Sequence, residues 1–314
     1  MLKDILEEKH CFKLVCGAGN EDVETVRRLV YLYALAGCRF FDLSANEEVV
    51  DAALETLHGA GIYDAYICVS VGISGDPHCN KAVIDYNKCI NCGSCESVCP
   101  QGAIHYAKVK KSKCIGCGRC WKVCPRIAIS YIPEEKNLSD VLPQLIKKGI
   151  DCIEFHVIGQ DEDEIFSKWK YINEIFDGML SICVSRGKLG DEALIERIKN
   201  MIKDRKAYST IIQADGFPMS GGDDDYKTTL QAVATAEIVQ NAKLPVYLML
   251  SGGTNSKTTE LARMCGIDYN AVAIGSYARK IVKRYIERAD FWSNHNAIEN
   301  ALNIAKPLVD SVIL

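Results

Sequence analysis

No stretch of this 314-residue chain holds a run of about 18 apolar residues, so no bilayer-spanning helix is expected. A strong charge of either sign is also missing: a net −4 gives nucleic acid no electrostatic reason to bind. The opening MLKDILEEKH is too charged for a signal peptide, and a cytoplasmic location is expected. What remains is globular. With 48% hydrophobic and 25% charged residues there is ample apolar surface for a core. The length is large for one domain and ordinary for a barrel with an insertion.

Cysteine, by contrast, is abundant, with sixteen in the chain. Without an export signal, disulfides are a poor explanation and a reducing compartment a better one. Eight of the sixteen fall between Cys89 and Cys124. KCINCGSCESVCPQGAIHY, from Lys88, returns 25 residues later as KCIGCGRCWKVCPRIAISY, from Lys113. Each copy reads C-x2-C-x2-C-x3-C-P. Three cysteines at intervals of three wrap a tight loop around one iron–sulfur cubane, and Gly93 and Gly118 relieve backbone crowding. Zinc needs only four ligands from two C-x2-C pairs, which leaves the other cysteines and the prolines unexplained. The doubled pattern resembles bacterial ferredoxins with two clusters, in which the fourth cysteine of each run serves the other cluster. That resemblance implies one [4Fe-4S] cluster on Cys89, Cys92, Cys95 and Cys124. The second would sit on Cys114, Cys117, Cys120 and Cys99.

Outside residues 76–134 apolar strand-like runs alternate with amphipathic stretches. The runs are FKLVCGAG from Phe12, RFFDLSA from Arg39, AYICVSVG from Ala65, CIEFHV from Cys152, MLSICVSR from Met179, STIIQADG from Ser209, PVYLMLSGG from Pro245 and AVAIGSYAR from Ala271. Helical spacing of apolar residues between them, as in EDVETVRRLVYLYALAG, predicts an α/β fold. Without the insertion the chain is close to the ~250 residues of a (β/α)8 TIM-like barrel, whereas a doubly wound sheet usually has fewer strands. The expected organisation is a barrel of residues 1–75 and 135–314, with a two-cluster, ferredoxin-like α+β insertion over 76–134. The insertion follows the third strand, on the face where barrels build active sites.

Strand alternation places the less apolar parity inside the barrel. That puts Asp42, Ser44, Cys68, Ser70, Cys152, Glu154, His156, Cys183, Ser185, Gln213, Asp215, Tyr247, Met249 and Ser251 inward, where Val, Ile and Leu usually dominate. A self-satisfied hydrogen-bond network would account for any one of them. As a set they suggest a polar ligand pocket, with Asp42, Glu154, His156 and Asp215 as candidate catalytic residues. Beside two acids, His156 reads as a proton donor, although a lone histidine could equally be core.

SGGTNS and IGSYAR close the last two strands. Gly252, Gly253, Gly275 and Ser276 are the candidate grip for a phosphate, as in flavin mononucleotide, with helix capping as the alternative. ADGFPMSGGDDD, from Ala214, reads as a lid, and its three aspartates as a solvated charge run or a cation site. Between residues 81 and 126 nine Lys or Arg face two Asp or Glu. Lys108, Lys110, Lys111 and Lys113 are the expected docking face for an acidic electron carrier such as ferredoxin or flavodoxin; a patch that only neutralises its own clusters is the alternative.

DPHCNKA, the paired cysteine runs, DGFPMSGGDDD and SGGTNSKTTELA together resemble the light-dependent period protein family over roughly residues 12–280. The resemblance implies an iron–sulfur redox protein that senses or relays electrons, linked in phototrophs to circadian input. A second, fold-level resemblance is to flavin barrels coupled to ferredoxin modules, such as dihydropyrimidine dehydrogenase; it implies a reductase in which clusters feed a flavin or substrate. No lysine is expected on an inner strand to face a flavin, and Arg186 and Lys188 are the nearest candidates.

Overall fold

The computed structural model describes residues 1–313 except 10, 75, 77, 78, 135, 158, 160, 188 and 217–222. The strands, in chain order, are β1 (Cys11–Val15), β2 (Phe40–Ser44), β3 (Tyr66–Gly72), β4 (Asn80–Ile84), β5 (Ile104–His105) and β6 (Lys108–Val109). They continue with β7 (Ile129–Pro133), β8 (Cys152–His156), β9 (Met179–Ser185), β10 (Thr210–Asp215), β11 (Tyr247–Ser251) and β12 (Ala271–Ile274). Eight of them close a barrel in the order β1-β12-β11-β10-β9-β8-β3-β2, every pairing parallel. This is the expected (β/α)8 architecture.

Parallel neighbours need crossovers, and helices supply them. Val23–Leu35, Glu47–Gly59, Leu138–Lys147, Glu162–Ile175, Asp191–Ile202, Tyr226–Asn241, Thr258–Met264 and Ser276–Ile286 each follow a barrel strand, and His295–Ile313 ends the chain. Several start where a short polar side chain caps the first turn. Asp22, Asn46, Asp161 and Asp225 accept from the backbone N–H of Thr25, Val49, Glu164 and Thr228. Among the described residues no helix is long and apolar enough to cross a membrane.

The core divides into shells. Outward strand residues such as Leu14, Phe41, Val69, Ile153, Ile182 and Ile212 pack beneath the helices. Inside, the lower half is apolar: Cys11, Phe40, Cys68, Cys152, Ile211, Tyr247 and Met249 meet Leu2 and Leu6 of the short helix Leu2–Glu7. The upper half, towards the strands' C-terminal ends, is polar.

The insertion leaves after β3 and returns before helix Leu138–Lys147. Antiparallel β4 and β7 form its stem, with Asn80 opposite Pro133 and Ile84 opposite Ile129. β5 and β6 make a second hairpin. Its small core is Ala82, Ala103, Ile104, Cys114, Cys120 and Ile129. Such a core is thin for so many residues, as expected where bound metal supplies part of the folding energy.

Candidate functional site

Every inward residue read from strand alternation faces the barrel interior or its rim, and one more joins them. Lys13 of β1 is completely buried, and its ammonium bonds the Glu154 carboxylate. It also donates to Gln213 Oε1 at 3.2 Å and lies 3.9 Å from Asp42 Oδ2. The expectation that no inner strand carries a lysine is therefore corrected. Lys13 escapes notice because it stands alone between Phe12 and Leu14, yet the same alternation that points Asp42 inward points Lys13 inward as well. Arg186, one of the two candidates for that role, pairs with Asp191 at 3.0 Å on the surface; Lys188 lies outside the described residues.

Around Glu154 the network is continuous. Its Oε1 accepts from Gln213 Nε2 and meets His156 Nε2, both at 2.9 Å. The other ring nitrogen of His156 meets Asp76 Oδ2, also at 2.9 Å. Ser70 Oγ donates to Asp42 Oδ1 at 2.7 Å, and the Cys183 thiol donates to Asp215 Oδ2 at 2.6 Å. Asp76 reaches His156 because Gly72, in register with it on β3, has no side chain: a Cβ there would collide with the Asp76 carboxyl. Asp76 sits in a loop, where no periodicity flags it.

Charge states follow from these contacts. Burial alone would push the His156 imidazole down, but the Asp76 and Glu154 carboxylates outweigh it and hold the ring well above its usual value. Burial likewise opposes ionisation of Glu154, and Lys13 and His156 win, lowering it. For Asp42 burial prevails over Lys13 and lifts it to about 6. Burial also raises Asp215, and it raises the Cys183 thiol with help from Asp215.

Above this network a cleft of about 60 Å³ opens between barrel and insertion. Ser44, Ser70, Gly72, Asp76 and His156 line it from the barrel, with Cys79, Lys81 and Glu134 from the insertion's stem. One water needs ~10–15 Å³, so the cleft has room for the head of a small polar ligand. Lys81, itself buried, donates to Gly19 O at 2.6 Å and to Cys114 O at 2.9 Å. One side chain thus separates the cleft from a motif cysteine.

The eight motif cysteines gather into two groups, each drawn from both motifs. Cys89, Cys92, Cys95 and Cys124 line one cavity; Cys99, Cys114, Cys117 and Cys120 line a second. Backbone N–H groups already point at sulfur: Ala82 to Cys114 at 3.3 Å, Ala103 to Cys99 and Ala128 to Cys124 at 3.2 Å. Gly93 and Gly118 adopt φ of 76° and 78°, the left-handed turn that each cysteine loop requires. Four sulfurs around a void, with amides aimed at them, fit a [4Fe-4S] cluster in each cavity.

The other candidates are placed differently from one another. Gly252 and Gly253 have φ of 63° and 80°, and a Cβ on either would strike the backbone of Gly216 or Thr228. Their lack of side chains is already required by close packing between the ends of β10, β11 and helix Tyr226–Asn241. A Cβ on Gly275 would come within 3.1 Å of Val15 and Arg279, and Ser276 begins a helix. Asp224 accepts from Ser256 and Tyr277, Asp225 caps a helix, and Asp223 pairs with Lys280. Of the lid expected over 214–225, residues 217–222 lie outside the described residues. Of the four lysines, Lys110 pairs with Asp22 of the barrel, and Lys111 with Glu134 of the insertion's own stem at 2.5 Å.

A parallel barrel with a dicluster iron–sulfur module inserted at its mouth is the class of protein this fold and site define. A family model for the Light dependent period A C-terminal domain matches residues 144–311, and one for a 4Fe-4S dicluster domain matches residues 82–132. Light dependent period A of Synechococcus elongatus is 32% identical over 266 residues, covering 81% of this chain and 74% of that protein. The chain belongs to the light-dependent period A family and is an iron–sulfur protein. Among solved structures it is similar to the YdjI aldolase from Escherichia coli K12, with TM-score 0.53 and 7% identity over 100% of this chain and 94% of that one. Tryptophan synthase from M. tuberculosis gives TM-score 0.52 and 10% identity over 100% and 97%. At such identities these likenesses show the barrel fold alone.

Lys13 provides a direct test of the network. Lys13→Met should destabilise the protein by about 3–5 kcal/mol, because Glu154 is left buried and uncompensated. Lys13→Met with Glu154→Leu should recover much of that loss in chemical denaturation. Equal stability of Lys13→Met and wild type would show that the pair contributes nothing.

Proposed function

We propose that this protein relays or senses electrons, and that a small polar ligand in the cleft at the barrel mouth is coupled to the inner of its two cysteine cavities. Lys81 is the observation that carries the reading, since it lines the cleft and donates to the Cys114 carbonyl. When bound, [4Fe-4S] clusters supply one-electron transfer. The chain's part is to hold them at different depths. Cys92 is exposed at the outer cavity, whereas Cys114 and Cys120 are buried at the inner one. The outer side then faces the electron carrier and the inner side faces the ligand. In the cleft, Ser44 and Ser70 offer hydroxyls and His156 a proton held between two carboxylates.

A reductase holding flavin mononucleotide or another phosphate-bearing ligand is the second reading. It is favoured by the start of helix Ser276–Ile286, where buried Arg279 places Nη2 3.4 Å from Ser276 Oγ. Flavin absorption in anaerobically purified protein would distinguish it.

The carrier is proposed to be acidic and to dock beside the outer cavity. Lys122 and Arg126 are exposed there, next to exposed Ile90, Tyr106, Trp121 and Ile127. Charge reversal of Lys122 and Arg126 should slow reduction by ferredoxin or flavodoxin in the way added salt does, exposed charges being screened within about 8 Å at physiological ionic strength. Reduction that stays fast in that variant would reject the docking face. Reversing Lys110 and Lys111 should instead lower thermal stability, since their partners belong to the barrel and the stem.

Iron and sulfide in reconstituted protein should approach about eight of each per chain. Cys99→Ser should perturb the inner cluster and leave the outer one intact by electron paramagnetic resonance. Loss confined to the outer cluster would overturn the crossed assignment.

A further inference from the structure

The upper barrel interior holds more negative than positive groups. Four buried carboxylates, Asp42, Asp76, Glu154 and Asp215, face two buried cations, Lys13 and His156, with Arg279 bordering Asp42. Buried charges are normally paired or bound to metal. Lys13 serves the side of Asp42 and Glu154. On the opposite side Asp215 Oδ2 accepts from the Cys183 thiol, while Asp215 Oδ1 is buried without a hydrogen-bond partner. Ser181 and Cys183 lie on β9 in register with Glu154 and His156.

Here the ligating atoms converge. A carboxylate oxygen of Glu154, a ring nitrogen of His156 and the Cys183 sulfur all lie within 4.8 Å of one another. Asp215 stands beside this trio, its Oδ2 being 2.6 Å from that sulfur. The supporting contacts are those that ligands of a bound metal commonly have. His156 turns its other nitrogen to Asp76, and Glu154 is held by Lys13 and Gln213. Asp42, Cys68 and Glu154 form a second convergent group, but the Lys13 ammonium already stands between Asp42 and Glu154.

We propose that the barrel interior binds one divalent metal of borderline softness, zinc in the first instance, through His156 Nε2, Cys183 Sγ and Glu154 Oε1. One sulfur, one nitrogen and one carboxylate oxygen suit zinc, with a water filling the fourth tetrahedral position. Charge balances on loading: as the dication enters, one proton leaves His156 Nε2 and one leaves the Cys183 thiol, so the net charge of the buried group is unchanged. Access is through the cleft that His156 and Asp76 line. The site stands independently of electron relay. With metal bound, Glu154 and His156 act as ligands rather than proton carriers.

The test uses protein fully loaded with iron and sulfide, incubated with zinc and desalted. Metal analysis should find about one zinc per chain, and zinc-edge X-ray absorption should show one sulfur and three nitrogen or oxygen neighbours. Cys183→Ser should remove the sulfur from that shell and weaken zinc retention by about tenfold or more, with iron content and circular dichroism unchanged. Retention of no zinc, a shell of four sulfurs as in misloaded cluster cysteines, or an unaltered shell in Cys183→Ser would each overturn the proposal. Should Cys183→Ser fail to fold, the wild-type shell still decides.

Discussion

The top of the barrel depends on Glu154 remaining ionised where water does not reach. A carboxylate in that position must be met from several directions, and it is: Lys13 from β1, Gln213 from β10, and His156 two residues along its own strand. Those contacts cross the barrel rather than run along its wall. They pin opposite strands to one another and divide the interior into an apolar floor and a polar ceiling. His156 can serve Glu154 only because Asp76 takes its other nitrogen, and Asp76 reaches it only because Gly72 leaves space. One buried charge thereby constrains the loop from which the insertion begins.

That loop explains why the insertion sits where it does. Its stem leaves beside Asp76 and returns beside Glu134 and Lys136, while Glu21 of the first barrel loop takes the Ser112 carbonyl through its backbone N–H at 2.7 Å. Lys110 closes the joint with an ion pair to Asp22. The inner cysteine cavity is consequently held against the barrel. Ile115 lies within 3.6 Å of where a Cβ on Gly17 would be. Lys81 bridges the remaining gap between cavity and cleft.

Much of this was legible in the sequence, for identifiable physical reasons. Strands such as YICVSVG and CIEFH announce themselves as short apolar runs, and their two-residue period marks Ser70, Glu154 and His156 as inward. The repeated cysteine spacing names both clusters and, through the ferredoxin resemblance, the grouping of their ligands. Other features were not legible. Lys13 was missed because a charged residue in a barrel interior runs against expectation, although its parity was available. Asp76 lies in a loop, and nothing local links it to a histidine 80 residues away. Glycine pairs after strands look alike whether they admit a phosphate or a neighbouring backbone, and a Cβ on Gly252 or Gly253 would meet backbone. Counting lysines does not show which are paired: Lys110 and Lys111, both exposed, carry ion pairs to Asp22 and Glu134.

The central claim is that the inner cavity and the barrel cleft communicate through Lys81. Potentiometric titration of the loaded protein, followed by electron paramagnetic resonance, tests it in wild type and Lys81→Met. A buried cation beside Cys114 favours the more negative, reduced state of whatever that cavity holds. The account predicts that removing it lowers the midpoint potential of one cluster only, the one lost or altered in Cys99→Ser. Two potentials unchanged by Lys81→Met, or a shift confined to the other cluster, would contradict it.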